Sequence, residues 1–107
     1  MRKIEQQMIK AIREGRNWES GNTKVVVLTG EITGMPYADV YLHDNHIAVA
    51  QVLSQHPKGL LYANPNRATF YDHPTATTRS RLRALGVNAS IKKGNAVLDG
   101  MVVSNEV

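Results

Sequence analysis

The chain has 107 residues and a mass of 11.8 kDa, with 42% apolar and 21% charged residues, which predicts one folded domain spanning 1–107 and excludes disorder throughout. Zero cysteines exclude disulfides, thiolate zinc sites and cysteine nucleophiles, and fit a reducing cytosol. Thirteen Lys and Arg against nine Asp and Glu give a net charge of +4 and a pI near 9.6, a balance that favours acidic partners.

Residues 2–14, RKIEQQMIKAIRE, place Ile4, Met8, Ala11 and Ile12 on one stripe of a helix, and Gly15 follows as its C-cap. The opening Arg2 and Lys3 and this amphipathic pattern differ from a secretory leader, and no run of about 18 apolar residues exists to cross a membrane. RNWESGNT reads as a loop, with Trp18 tucked over the core. Lys24 to Thr29 is a buried strand rich in β-branched residues, ended by the Gly and Pro of EITGMPY.

ADVYLH and HIAVAQV flank Asp44-Asn45, which predicts a hairpin over 38–52. In that register His43 opposes His46, Leu42 opposes Ile47, Tyr41 opposes Ala48 and Val40 opposes Val49. One face then carries Val40, Leu42, Ile47 and Val49, and the other, partly wet, carries Asp39, Tyr41, His43 and His46. SQHPKG is a turn, GLLYA a strand, and RATFYDHPTA an irregular or edge segment. TTRSRLRALG is a second helix with Thr75 or Thr77 as N-cap and Gly86 as C-cap. Leu82 and Leu85 face the sheet, Arg79 and Arg83 share the solvent face, and Arg81 lies on the flank. The remainder forms a terminal hairpin turning at Lys93-Gly94-Asn95, with 104–107 a frayed tail. The fold class is therefore α+β, a mostly antiparallel sheet packed against two helices.

Chemistry-bearing motifs are sparse. His43 and His46 across a tight turn, with Asp39 on the same face, offer two imidazoles to a metal, but zinc needs a third or fourth ligand and none stands in local spacing. A solvated polar pair is the plainer reading. Asp72 and His73 are adjacent, a spacing that seldom lets side chains meet, and no nucleophile elbow or P-loop is present. The expectation is no catalytic residue, no metal and no cofactor.

Charge is more informative. No acid stands between Asp72 and Asp99, whereas Arg79, Arg81, Arg83, Lys92 and Lys93 supply five positive charges. If the second helix and the last hairpin are neighbours, these residues form one patch for phosphates, with Thr77, Thr78 and Ser80 adding hydroxyls. A second cluster, Arg2, Lys3, Lys10, Arg13 and Arg16, is diluted by Glu5 and Glu14. Lys and Arg also cover the wet face of any helix, so the patch alone does not decide a function.

The motifs W-x-x-GNTKV, V-x-LH-x-N-x-IA and TT-x-SRL-x-AL-x, from residues 18–25, 40–48 and 77–86, resemble the small accessory proteins that tailed bacteriophages encode in their early or variable regions. The resemblance implies the cytoplasm of a host bacterium and one of two roles. One is a non-catalytic nucleic-acid binder, of DNA or RNA, for which the charge pattern, not the resemblance, offers Arg79, Arg81, Arg83, Lys92, Lys93, Thr78 and Ser80. The other is a stoichiometric inhibitor, like anti-CRISPR proteins, of a host protein or ribonucleoprotein. A sheet this small leaves a strand edge open to a second copy, and nothing in the sequence selects a homodimer over a monomer.

Overall fold

The computed structural model describes residues 1–53 and 59–104. Among these residues, eight strands in two antiparallel sheets and three helices make an α+β fold. The expected turn over SQHPKG falls almost wholly on 54–58, and the end of the expected frayed tail on 105–107, outside the described residues.

Helix α1 (Lys3–Glu14) buries Met8, Ala11 and Ile12, as its apolar spacing dictates, and also Glu5. Gly15 ends it with φ +64° and donates its N–H to the Ile12 carbonyl at 3.1 Å. Strands β1 (Trp18–Ser20), β2 (Thr23–Thr29), β3 (Pro36–Leu42), β4 (Asn45–Leu53) and β5 (Leu60–Pro65) follow and pair in simple sequence order. Trp18 lies in a short edge strand instead of a loop, opposite Val25, and packs against the core.

The β3–β4 hairpin is present with a different turn and register. His43 and Asp44, not Asp44 and Asn45, form the turn with φ +51° and +63°, so Leu42 pairs Asn45 and Tyr41 pairs His46. A bulge then inserts Ile47, after which Val40 pairs Ala48 and Asp39 pairs Val49. Because of this extra residue, Ile47 and Ala48 are both buried, and Val49 moves to the opposite face with Asp39. The expected pairing of His43 with His46 does not occur.

Segment 67–72 is helix α2 (Arg67–Asp72), not an extended edge. Asn66 caps it by accepting from the Thr69 N–H at 3.1 Å, and Phe70 enters the core; cap and burial outweigh the β preference of Thr69, Phe70 and Tyr71. Helix α3 (Ala76–Ala84) starts at the Thr75 cap and buries Leu82, with Leu85 buried just beyond it. The chain continues as a second sheet, β6 (Ala89–Lys92), β7 (Asn95–Leu98) and β8 (Met101–Val102), whose first turn is Lys93-Gly94.

The three helices pack on one face of the five-stranded sheet, and α3 also lies against β6. Met8, Ile12, Val25, Val40, Ile47, Phe70, Leu82 and Leu98 form the shared core. Each such large side chain contributes roughly 1.5–3 kcal/mol by leaving water.

Candidate nucleic-acid interface

The geometry of α3 decides which cations reach solvent. Thr78, Arg81, Leu82 and Leu85 follow the i, i+3, i+4, i+7 spacing of one helical stripe, and all four are buried. Arg81 is 3% exposed, so the expectation that its charged end lies outside the core is corrected. Its guanidinium is held in place: Nη1 donates to Glu5 Oε2 at 2.8 Å, Nε to Thr23 Oγ1 at 3.0 Å and Nη2 to Asn22 Oδ1 at 3.4 Å. Ser80 Oγ donates to the same Glu5 oxygen at 2.5 Å, and the Arg2 N–H donates to Glu5 Oε1 at 3.2 Å. Burial pushes the Glu5 carboxyl up, but the hydrogen bonds from Ser80, Arg81 and the Arg2 backbone, with the Arg81 charge, outweigh it and hold Glu5 below its ordinary value of 4.5. Thr78 is likewise occupied, its hydroxyl 2.9 Å from Thr75 Oγ1 and its N–H donating to that same Thr75 oxygen.

Arg79, Arg83, Lys92 and Lys93 remain at the surface. Arg79 stands one turn before Arg83 on the outer side of α3, with Nε 3.4 Å from the Thr75 carbonyl. Arg83 Nε donates to the Ala89 carbonyl at 2.7 Å, which fastens its stem to the start of β6 while its other nitrogens stay available. Lys92 and Lys93 are exposed at the far end of that strand, Lys93 with φ +52° in the turn. Asp99, the nearest acid in sequence, sits at the opposite end of the hairpin, where it joins Asn88. Among the described residues none of the four cations has an acidic partner within ion-pair distance. A shallow groove beside Arg83 is lined by Met1, Glu5, Ser80 and Ala84.

A separate polar cluster occupies the opposite face of the large sheet. His46 Nε2 lies 2.9 Å from Asp39 Oδ1, and its Nδ1 lies 3.1 Å from Asn66 Nδ2. Because Asn66 Oδ1 already accepts from Thr69, the amide must present its NH2 to Nδ1, so the neutral ring carries its proton on Nε2 and donates to Asp39. Lys24 Nζ sits 4.9 Å from the Tyr41 ring centre, and that ring is tilted against His46 at 5.4 Å. His43 stands apart in the exposed turn, and no group of three or more metal-binding side chains is found among the described residues.

A family model described as Kyanoviridae Gp96 protein matches residues 1–105. The chain belongs to this family. It is a family of phage proteins, in agreement with the phage origin that the sequence motifs implied. No curated protein and no solved structure matches the chain. Among the described residues of this Gp96 family member, no helix is long and apolar enough to cross a membrane.

The ion pair of Glu5 and Arg81 escaped the sequence reading although its signal was present: Glu5 stands on the α1 stripe with Met8 and Ile12, as Arg81 stands with Leu82 on α3. Two opposite charges on two inward stripes mark a buried pair. Tyr37 and Tyr62 were also missed as outward residues; both alternate with alanines, Ala38 and Ala63, that face the core.

Proposed function

We propose that this Gp96 family member is a non-catalytic accessory protein that binds nucleic-acid backbones through Arg79, Arg83, Lys92 and Lys93. The observation that carries this reading is the division of labour on α3 and β6. The one arginine on the buried stripe spends its charge inside, while Arg79 and Arg83 on α3 and Lys92 and Lys93 at the end of the adjoining β6 have no acidic partner within ion-pair distance among the described residues. Arginine forks and lysine ammonium groups suit phosphate oxygens, and contacts of this kind hold a strand without reading its sequence. Thr78, Ser80 and Arg81 contribute by fixing the helix that presents the cations, not by touching the ligand.

Fluorescence anisotropy with labelled single- and double-stranded DNA and RNA tests the proposal. Four phosphate contacts on duplex predict that affinity falls by about two orders of magnitude between 50 and 200 mM salt. Replacing Arg79, Arg83, Lys92 and Lys93 by Ala removes binding while the thermal melt is retained. Absence of binding by the wild type at low salt defeats the proposal and turns attention to a host protein or ribonucleoprotein as the target.

A further inference from the structure

The tip of the β3–β4 hairpin and the junction between α2 and α3 border an open cleft of about 240 Å³. Its floor is apolar, made by Leu42 and Ile47, which are 3% and 2% exposed. Its walls carry His43 and Asn45 from the tip, His73 from the end of α2 and Thr77 from the first turn of α3. Among the described residues these four side chains make no hydrogen bond to the rest of the chain. His46 and Asn66, by contrast, are tied to each other and to Asp39 and Thr69. Thr75 and Thr78, which also line the cleft, are bonded to one another. The polar groups left for a ligand are thus two imidazoles, one amide and one hydroxyl above an apolar floor.

We infer that this cleft takes one unpaired base of a single-stranded nucleic acid. The inference rests on the phosphate contacts proposed above and names the kind of strand they hold. No Lys, Arg, Asp or Glu lines the cleft, so it offers no fixed charge to a phosphate or to an ionised side chain. Two imidazoles also fall short of the three protein ligands that a zinc site needs. A base is neutral and planar, with apolar faces and a polar edge, and each part has its counterpart here. Imidazoles stack on bases, and amide and hydroxyl groups both donate to and accept from a base edge. Size agrees, since the volume lies below the roughly 300 Å³ at which pockets for drug-sized ligands begin. There is room for one ring system and not for a whole nucleotide, so sugar and phosphate stay outside. Arg79 stands where that phosphate emerges: its Nε lies 3.4 Å from the carbonyl of Thr75, a residue of the cleft wall. A base in a duplex is stacked and paired and enters only by being extruded, whereas a single strand offers its bases directly.

Fluorescence anisotropy of the full chain with two labelled DNA single strands tests this. One has a mixed sequence of about ten nucleotides, and the other is an abasic strand of the same length and charge. The wild type is expected to bind the strand with bases about ten-fold more tightly. His73→Ala removes a stacking ring and Thr77→Phe fills the cleft. Each, independently, lowers affinity for the base-bearing strand to that for the abasic one. Each also leaves the affinity for the abasic strand and the circular dichroism spectrum unchanged. Equal binding of the two strands by the wild type overturns the inference and leaves the phosphate contacts standing. A base preference that survives both substitutions overturns it too, as does a loss of equal size on both strands. A preference lost with Tyr62→Ala and kept in His73→Ala overturns it by moving the stacking to the outer sheet face. A wild type that binds neither strand at low salt defeats the phosphate contacts themselves, and this inference with them.

Discussion

A buried guanidinium is an expensive residue to keep, and Arg81 is kept by satisfying it from helix α1, strand β2 and the turn before that strand at once. Removing its partner leaves an uncompensated charge in the core, which costs about 3–5 kcal/mol. Arg81→Ala, which strands Glu5, is therefore expected to lower the urea midpoint by that equivalent, whereas Arg79→Ala leaves it nearly unchanged. Replacing the pair together, Glu5→Leu with Arg81→Met, recovers much of the loss, since a packed apolar pair of similar volume removes both desolvation penalties. Acid acts on the same group. Glu5 is held below its ordinary 4.5, so its contribution is fully present above that value and is lost as pH falls through the lower folded value. Thermal melts across the acid range are expected to show a fall in stability that is weaker in Glu5→Gln. At this scale the sequence is legible for apolar residues and misleading for this one arginine, because charge ordinarily signals exposure whereas the helical periodicity of α3 assigns burial.

Elements were legible where one local signal dominated. The stripe of α1, the β-branched run of β2 and the Thr75 cap of α3 each agree with their surroundings, and the element formed, although β2, expected to be a buried strand, buries only Val25 of residues 24–29 and exposes Leu28 and Thr29. The β3–β4 hairpin was legible as a pairing but not as a register. His43-Asp44 and Asp44-Asn45 are comparable turn candidates, and the choice depends on the Ile47 bulge, which lets Ile47 and Ala48 reach the core together. Since both turn residues sit at positive φ, His43→Asn with Asp44→Gly relieves strain and is expected to raise the melting temperature by a few degrees, about 1 kcal/mol at most. The exposed ion pair of Asp44 with Lys24, lost in that variant, weighs less. Helix α2 was illegible because four of its six residues, Thr69, Phe70, Tyr71 and Asp72, have weak helical preference and the helix relies on the Asn66 cap and on Phe70. Asn66→Ala removes both the cap and the His46 contact. It is expected to cost about 1–2 kcal/mol and to show first as faster amide exchange over 67–72.

For the whole molecule, composition predicted one globular domain with a basic bias and the element patterns an α+β fold, and the fold brings α3 and β6, which carry one of the two basic clusters of the sequence, into contact. The location of the bias was readable because an acid-free run from 73 to 98 covers both elements. The cleft beside the hairpin tip was not readable, since it needs α2 and α3 packed against β4. Salt dependence is the expected signature at this scale: each Arg or Lys removed from the patch lowers the slope of log affinity against log salt by about 0.9 on duplex DNA. Arg81 is excluded from that series because its loss is a folding defect.

The tie between Glu5 and residues 80 and 81 spans 75 and 76 positions of chain, and this sets an order of assembly. During synthesis α1 emerges first, with a carboxylate on its apolar stripe and nothing to neutralise it. Docking α1 on the nascent β2 to β4 would bury that charge alone, so the helix must wait, solvated, until three quarters of the polypeptide has left the ribosome. The first segment made is thus locked late, and ribosome-stalled chains whose residues 80 and 81 have not yet emerged should leave residues 3–14 open to protease, while chains that expose α3 outside the ribosome protect them.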